Sequence, residues 1–503
     1  MAAEELWRAE LERWLAPFLA ELSHPARRRM CPAYVAGLIG PGDRKSVQPM
    51  AARADGIGYD RLHHFVAAGV WDTEPLEAAL LVEADRLVGG PDAFLVVDDT
   101  ALPKKGRHSV GVAPQYASTL GKNANCQTLV SVTLARAEVP VMVGLRLFLP
   151  ESWTGDPKRL ARARVPEERR AYRTKPDIAL AEIDQVRAAG VRFGCVLADA
   201  GYGLSGPFRQ GLSARGLTWA VGIPAKQKVY PADVAMIFPV AGRGRPRQRH
   251  IPDQLSIAAG HVLAAQPWVR VSWRRGTKGP LAARFAAVRV RVADGPPQRI
   301  RDMGAQHLPG EEAWLLGEHR STGERKYYLA NLPADTPLKQ LAAAVKARWV
   351  CEQAHQQLKE ELGLDHFEGC SWTGLHRHAL MTMIAYAFLQ ARRLAQAGRE
   401  KKSPRATARA QPARDQARHH HRARPAAAST LPALLPAARA SAALNCQSSA
   451  SPSPPWSPRS PASPRPDRRP AAPPPSRRRL RCGRRACRRS RRRGRRAWSA
   501  HAR

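Results

Sequence analysis

The sequence predicts an α/β protein with a helical N-terminal region, an α/β layer domain, a strand-rich stretch, a return to helices and a basic C-terminal tail. Three observations carry that reading. Apolar residues recur at helical spacing through the first 90 positions. Continuous apolar runs at 93–97 and 193–198 end in aspartates, and the strands from 93 to 148 are followed by a helical pattern at 176–190, as in a layered α/β domain. From residue 399 onward Arg, Pro, Ser and Ala replace any pattern that could bury a core.

Leu6, Leu11, Leu15, Phe18, Leu19 and Leu22 line the first helix, and further helices are predicted over 32–39, 47–53, 59–68 and 74–88. Gly40-Pro41-Gly42 and Gly56-Ile57-Gly58 break them. Short helices with tight breaks and Arg44, Lys45, Arg53 and Arg61 suit a small DNA-binding bundle of helix-turn-helix kind. A bundle without ligand has the same pattern. The run at 93–97 is a strand ending at Asp98-Asp99-Thr100, 126–134 and 140–148 are two more, 176–190 is helical, and 193–198 is a buried strand ending at Asp199. Residues 205–340 are strand-rich, with alternation over 283–292 and over 314–332 around a Ser321-Thr322-Gly323 turn. Residues 338–362 and 374–397 read as helices. The second carries the apolar run 378–391, flanked by Arg377, Arg392 and Arg393 and too short to span a bilayer.

With 503 residues the chain is too long for one ordinary core. Its net charge of +39 calls for a polyanionic partner, by default nucleic acid. Residues 399–503 hold 28 of the 81 Lys and Arg but only 3 of the 42 Asp and Glu, so the body is moderately basic and the tail extremely so. The tail is expected to be disordered. It reads either as a basic arm adding nonspecific DNA affinity or as out-of-frame translation of GC-rich DNA, which the abrupt change of texture favours. The eight cysteines form no C-x-x-C pair, so no structural zinc is expected and the thiols read as reduced. The opening MAAEELWRAELERW is charged and amphipathic, unlike a signal peptide, which suggests a cytoplasmic, nucleoid-associated protein with no membrane partner. GxxxxGK[ST] is absent, so no nucleotide cofactor is expected.

Three acidic positions carry the chemistry. Asp98 and Asp99 end one apolar strand (VVDDTALPKKG), Asp199 ends another (CVLADAGYG), and Glu352 lies on a helix (KARWVCEQAHQQLKEELG). Ligands of open α/β sheets gather beyond the carboxyl ends of strands. Two strand-end aspartates and a helical glutamate can therefore converge on a divalent metal, and Mg²⁺ prefers such hard oxygen ligands. Phosphodiester cleavage needs an attacking oxygen and a stabilised leaving oxygen, which two metals about 3.5–4 Å apart can hold in line. Arg348, Glu352, Gln356 and Lys359 share one helix face, although spacing alone also describes a solvated helix with an Arg–Glu pair.

Together the three segments resemble the DDE transposases of bacterial insertion sequences, over roughly residues 10–398, including RRRMCPAYVAGLIGPGDRKSVQPMA. Arg348-x-x-x-Glu352-x-x-x-x-x-x-Lys359 matches the signature around that family's catalytic glutamate, with Val345 where the family usually has Tyr. Asp98-Asp99-Thr100 resembles its first-aspartate motif and Asp199-Ala200-Gly201-Tyr202 its second. The resemblance implies an RNase H-like catalytic core with a β-rich insertion between the second Asp and the Glu. The expected organisation is a helical DNA-binding region at 1–90, the first part of the core at 91–204, the insertion at 205–337, core helices at 338–398 and the disordered tail at 399–503. It further implies Mg²⁺ (or Mn²⁺ in its place) as a two-metal site at Asp98, Asp199 and Glu352, with Arg348 and Lys359 on the DNA backbone. The implied partners are double-stranded DNA, as terminal repeats and target, and a second copy of the chain in a homodimer on DNA. The implied activity is cleavage at insertion-sequence ends followed by strand transfer. The alternatives are a catalytically impaired DNA-binding relic that represses transposition and a stand-alone nuclease.

Adjacent strand residues point to opposite sides, and the resemblance selects Asp98 as the ligand with Asp99 supporting it. Lys104, Lys105 and Arg107 in the loop after the first aspartates, and Arg274 and Arg275 with Lys278 on a hairpin, are further candidates for phosphate contact. Each also fits an ordinary solvated surface. Trp273 and Trp314 read as core packing ahead of base stacking, His355 as a helix-surface hydrogen-bonding residue, and His376 and His378 as helix-entry residues.

Overall fold

A computed structural model describes residues 2–54, 56–117, 120–238, 249–276, 279–300 and 304–402. Of the tail expected over 399–503, residues 403–503 lie outside the described residues, as does Lys278, while 399–402 are helical.

Five helices open the chain: α1 (Ala2–Ala20), α2 (Pro25–Ile39), α3 (Val47–Ala52), α4 (Tyr59–Ala67) and α5 (Glu74–Val88). Four strands follow: β1 (Phe94–Pro103), β2 (Ala113–Ala117), β3 (Lys122–Arg136) and β4 (Val139–Leu147). Next come α6 (Glu151–Thr154), α7 (Pro157–Arg162), α8 (Lys175–Ala188), β5 (Cys195–Ala198), α9 (Ala200–Gly203), α10 (Gly206–Ala214) and β6 (Trp219–Ile223). The strand-rich stretch holds β7 (Lys228–Pro231), β8 (Met236–Ile237), β9 (Ile251–Pro252), β10 (Ile257–Ala258), α11 (Ala259–Ala264), β11 (Val269–Gly276), β12 (Gly279–Val292), β13 (Pro297–Ile300), β14 (Gly304–His307), β15 (Glu312–His319) and β16 (Arg325–Ala330). Helices α12 (Leu338–Ala347), α13 (Trp349–Glu360) and α14 (Trp372–Lys402) close the described chain.

The fold is mixed α/β. Among the described residues one large sheet runs β10-β7-β12-β15-β16-β6-β5-β1-β3-β2, with β11 on β12 and β4 on β3. Only β1–β5 and β5–β6 pair in parallel, and the rest of the sheet is antiparallel. Strands β12, β15 and β16 of the strand-rich stretch extend this same sheet through the antiparallel pairing of β16 with β6.

Two changes from the expected element boundaries bear on the site. Strand β1 does not end at the aspartates: it runs on to Pro103 against β3, whereas its parallel pairing with β5 stops at Val97. The longer β3 supplies ladder partners that β5 cannot. The single helix expected over 338–362 is two, α12 and α13, meeting at Arg348 (φ −57°, ψ −27°). That geometry leans toward a 3₁₀ turn, and Cys351 N–H bonds the Arg348 carbonyl at 3.1 Å. No Gly or Pro announces the break.

Helices α1 to α5 share their core with the rest of the chain. Leu15 and Phe18 of α1, Tyr34 of α2 and Phe65 of α4 belong to one buried cluster with Leu380, Ile384 and Phe388 of α14. His376 and His378 are buried inside α14. His376 takes the Leu147 N–H at 3.3 Å and lies 2.9 Å from the Trp372 carbonyl. His378 joins the Tyr34 hydroxyl at 2.8 Å to the Gly363 carbonyl at 3.0 Å. Burial lowers His376 to about 3 and His378 to about 4, so both stay neutral and serve packing. No helix among the described residues is long and apolar enough to cross a membrane.

One buried ion cluster ties three elements behind the sheet. Arg146 of β4 donates to Glu182 of α8 at 2.8 and 3.2 Å and to Glu77 of α5 at 3.1 Å. Only 4% of the Glu182 side chain is exposed. Breaking a buried pair from one side leaves an uncompensated charge, at a cost of about 3 kcal/mol. Glu182→Ala is expected to lose about that much in denaturant unfolding, and a change under about 1 kcal/mol would show that Glu77 alone satisfies Arg146.

Candidate active site

The site grows from the parallel pairing of β1 and β5. Leu95, Val96 and Val97 on one strand, and Val196, Leu197 and Ala198 on the other, are buried apolar residues that hold the two strands in the core. Val97 pairs with Ala198, so Asp98 and Asp199 follow side by side where that pairing ends. Asp199 caps α9, its Oδ1 accepting from Gly201 N–H at 2.9 Å and Tyr202 N–H at 3.2 Å. The glycine after Tyr202 is required by packing: a Cβ at Gly203 would meet the Gly222 carbonyl oxygen at 1.9 Å. The turn that carries Asp199 is thereby seated directly on β6.

Asp98 accepts from several donors. Arg348 Nη1 reaches its Oδ2 at 2.6 Å, the Cys351 thiol reaches the same oxygen at 3.2 Å, and Asp99 N–H reaches Oδ1 at 2.9 Å. Burial nevertheless pushes Asp98 up to about 6; Asp199 adds to the rise, while Arg348 pulls against it. The second guanidinium nitrogen of Arg348 donates to Glu352 Oε1 at 2.5 Å. One cation thus bridges the buried Asp98 and the outward Glu352, whose side chain is 62% exposed.

Strand alternation sends Asp99 the other way, into an ion pair with Lys175 at the start of α8. Among the described residues no three His, Cys, Asp or Glu gather at metal-holding separation. Asp98 and Asp199 are neighbours, and Glu352 is linked to them through Arg348. The donor set still suits a hard divalent cation. All three groups are carboxylates, and Asp98 is held above the usual carboxylate range by burial and by Asp199, a penalty that a cation shared by the two aspartates relieves.

The other sequence candidates fall in different places. Lys104 donates to the carbonyls of Asp365 at 2.9 Å and Phe367 at 2.8 Å, which commits its ammonium to holding the segment after α13. Lys105 is exposed. Arg274 lies 4.1 Å over the Trp349 ring and pairs with Glu138, joining β11 to the start of α13 and to the β3–β4 turn, whereas Arg275 is exposed. Lys359 is half-buried, and burial lowers its pKa. His355 is not a surface residue: it is 7% exposed, bonds the Ser131 hydroxyl at 2.8 Å, and burial, then Lys359 and Arg348, lower it to about 3. Trp273 packs edge-on against Phe285, and Trp314 donates to the Pro333 carbonyl at 2.9 Å. In the helical region Lys45 is buried and donates to the Gly40 carbonyl, and Arg44 pairs with Glu368, so neither is a free surface cation.

Asp199, Arg348 and Glu352 open onto a cleft of about 530 Å³. Four cations that sequence reading missed line it as well: Arg320, Arg325, Lys326 and Lys346. Their signal was present in HRSTGERK and AAAVKARW, but nothing local aims those residues at Asp199. Two carboxylates and five cations therefore share the cleft, with Arg320, Lys326, Lys346 and Arg348 held in ion pairs with Glu318, Glu324, Asp98 and Glu352.

Comparison with known proteins bears on this site. Residues 17–280 match the family model described as DDE superfamily endonuclease, and residues 173–388 match that of the transposase DDE domain. The chain is 33% identical over 175 residues to a protein of Microchaete diplosiphon named "Probable transposase for insertion sequence element IS701". That alignment covers 34% of this chain and 42% of the relative, so the chain spans less than half the length of the curated relative it matches. Among solved structures, the cryo-EM structure of a piggyBac transposase synaptic complex with hairpin DNA is similar at a TM-score of 0.34 and 11% identity, covering 78% of this chain and 73% of that one.

The charge balance at Asp98 yields a pH test. Its folded value of about 6 lies above the ordinary aspartate value of 3.8, so folding favours the protonated form. The stability it contributes is whole below about pH 4 and is lost as pH rises through about 6. In metal-free buffer, wild type is expected to lose about 2–3 kcal/mol relative to Asp98→Asn between pH 4 and 7.5, read by denaturant unfolding. A difference that stays flat across that range would mean Asp98 titrates as an ordinary carboxylate.

Proposed function

Because the chain belongs to the DDE superfamily endonucleases, whose family model spans residues 17–280, we propose that it is an insertion-sequence transposase that cleaves DNA at the element's ends and joins them to target DNA. The observation that carries this reading is the juxtaposition of Asp98 and Asp199 at the parallel strand ends beside a cleft lined by five cations. Strands β1, β5 and β6 with α8 and α13 are the elements we assign to an RNase H-like core, preceded by the helical region at 1–90 and interrupted by the strand-rich stretch after β6.

Asp98, Asp199 and Glu352 are the residues that would hold Mg²⁺. Bound there, the metal supplies Lewis acidity toward the attacking and leaving oxygens of a phosphodiester. The protein's own groups do the remaining work. Arg348 presents a planar fork that suits two phosphate oxygens as well as two carboxylates. It can therefore neutralise the carboxylates in the free protein and turn to the DNA backbone in the complex. Glu352 sits at the rim with its side chain exposed, able to close on the aspartates once Arg348 releases it. His355, neutral and bonded to Ser131 beneath Asp98, braces α13 against β3. Exposed Lys105 and Arg275, with Lys359, extend the cationic surface available to duplex DNA. Pairing two element ends calls for two copies of the chain, which we assign to a homodimer on DNA.

The test is cleavage of a labelled duplex carrying the parent element's terminal repeats, with Mg²⁺. Wild type is expected to nick at the element end. Asp98→Asn, Asp199→Asn and Glu352→Gln are each expected to lose on the order of 100-fold or more in cleavage while keeping duplex binding. Cleavage that survives all three substitutions would remove these carboxylates from the chemistry.

A further inference from the structure

A buried carboxylate stands behind the cationic wall of the cleft. Glu318 of β15 is 1% exposed, in a position where an apolar residue would cost less to bury. Its Oε1 accepts from Lys346 Nζ at 2.8 Å and from Arg320 Nε at 2.9 Å, and its Oε2 accepts from the Tyr328 hydroxyl at 2.7 Å. The cluster draws on three elements: β15, the neighbouring β16 and α12. The hydrogen bonds more than offset the burial that works to raise its pKa, so Glu318 stays ionised, held below the usual carboxylate range. The second layer is equally ordered. Arg320 Nη1 pairs with Glu324 at 2.8 Å, and Lys346 lies 5.1 Å over the Trp273 ring.

One anion thus holds two cations close together where they would otherwise repel each other. Both line the cleft that Asp199 and Glu352 also line, with Arg325 and Lys326 beside them. Five cations and two carboxylates line the cleft, and the buried Glu318 that holds Lys346 and Arg320 leaves those two cations facing it. Held cations also lose less rotamer freedom on contact than free ones do, which favours a fixed, periodic polyanion.

We infer that Glu318 is a positioning residue: it gathers Lys346 and Arg320 into a subsite for the backbone phosphates of DNA that reaches Asp199 and Glu352. This rests on the reading that the chain acts on DNA. The subsite contacts phosphate and not bases, so its contribution is independent of sequence and sensitive to salt.

The experiment is the salt dependence of binding of the full chain to a labelled duplex, without divalent metal. It compares wild type, Glu318→Gln, Lys346→Met and Arg320→Gln, with thermal melting of each protein alongside. Any contribution from the tail is common to all four and drops out of the differences. Lys346→Met and Arg320→Gln are each expected to flatten the slope of log K against log salt by about 0.9, one phosphate contact. Glu318→Gln is expected to flatten it by about one to two contacts, because both cations lose their anchor, with a several-fold loss of affinity at moderate salt. A purely structural role would lower the melting temperature and leave the slope at the wild-type value, and that outcome overturns the inference. If Glu318→Gln does not fold, the two cation variants decide: unchanged slopes in both overturn it. A wild-type chain that fails to bind duplex overturns the DNA-acting reading and this inference with it, whereas binding with slopes unmoved by any variant overturns this inference alone.

Discussion

Two carboxylates on adjacent parallel strands set the terms for this structure. Apolar residues drive β1 and β5 into the core, and the register that buries Val97 beside Ala198 brings Asp98 and Asp199 together where the pairing stops. Asp98 cannot escape to water, because β1 continues against β3 as far as Pro103. A negative charge in that position is costly unless a cation meets it. Arg348 is that cation within the chain: from the junction of α12 and α13 its guanidinium reaches Asp98 in the core and Glu352 at the rim.

The charge then propagates outward in layers. Behind the cleft Glu318 anchors Lys346 and Arg320; in front, Arg348 faces Asp98 and Glu352. This differs from the cluster around Arg146, where two glutamates enclose a single cation and the arrangement ties helices to the sheet. At Glu318 one buried anion holds two cations, and the exposed Glu324 pairs with one of them. Cations and carboxylates side by side in one cleft accord with the endonuclease family to which the chain belongs.

The helical region is built into this arrangement. Its apolar faces share a core with α14, and α14 also packs on β4. His378 joins α2 to the segment after α13, and Lys104 holds that same segment from the end of β1. The N-terminal helices and the carboxylate-bearing elements are therefore mechanically connected through neutral histidines and committed lysines. Sequence reading gave the histidines only as helix-entry residues and left Lys104 as a phosphate contact or a solvated loop residue, because a charged side chain on a loop is solvated more often than buried.

What the sequence by itself determined is the set of strong local signals. Apolar runs closed by acidic residues located β1, β5, Asp98 and Asp199, and helical periodicity located the segment bearing Arg348 and Glu352, since side-chain period and strand burial are local properties of the chain. Alternation along β1 also separated Asp98 from Asp99, once the structure showed which face looks toward Arg348. Only the tertiary structure decided how the charges are matched. That Lys104 is bound to carbonyls, that Arg274 stacks on Trp349, that His355 lies beneath Asp98, and that Glu318 gathers Lys346 and Arg320 all depend on residues far apart in sequence. Whether a charge is solvated, paired or poised for a ligand depends on the dielectric and the partners around it, and those exist only once the chain is packed.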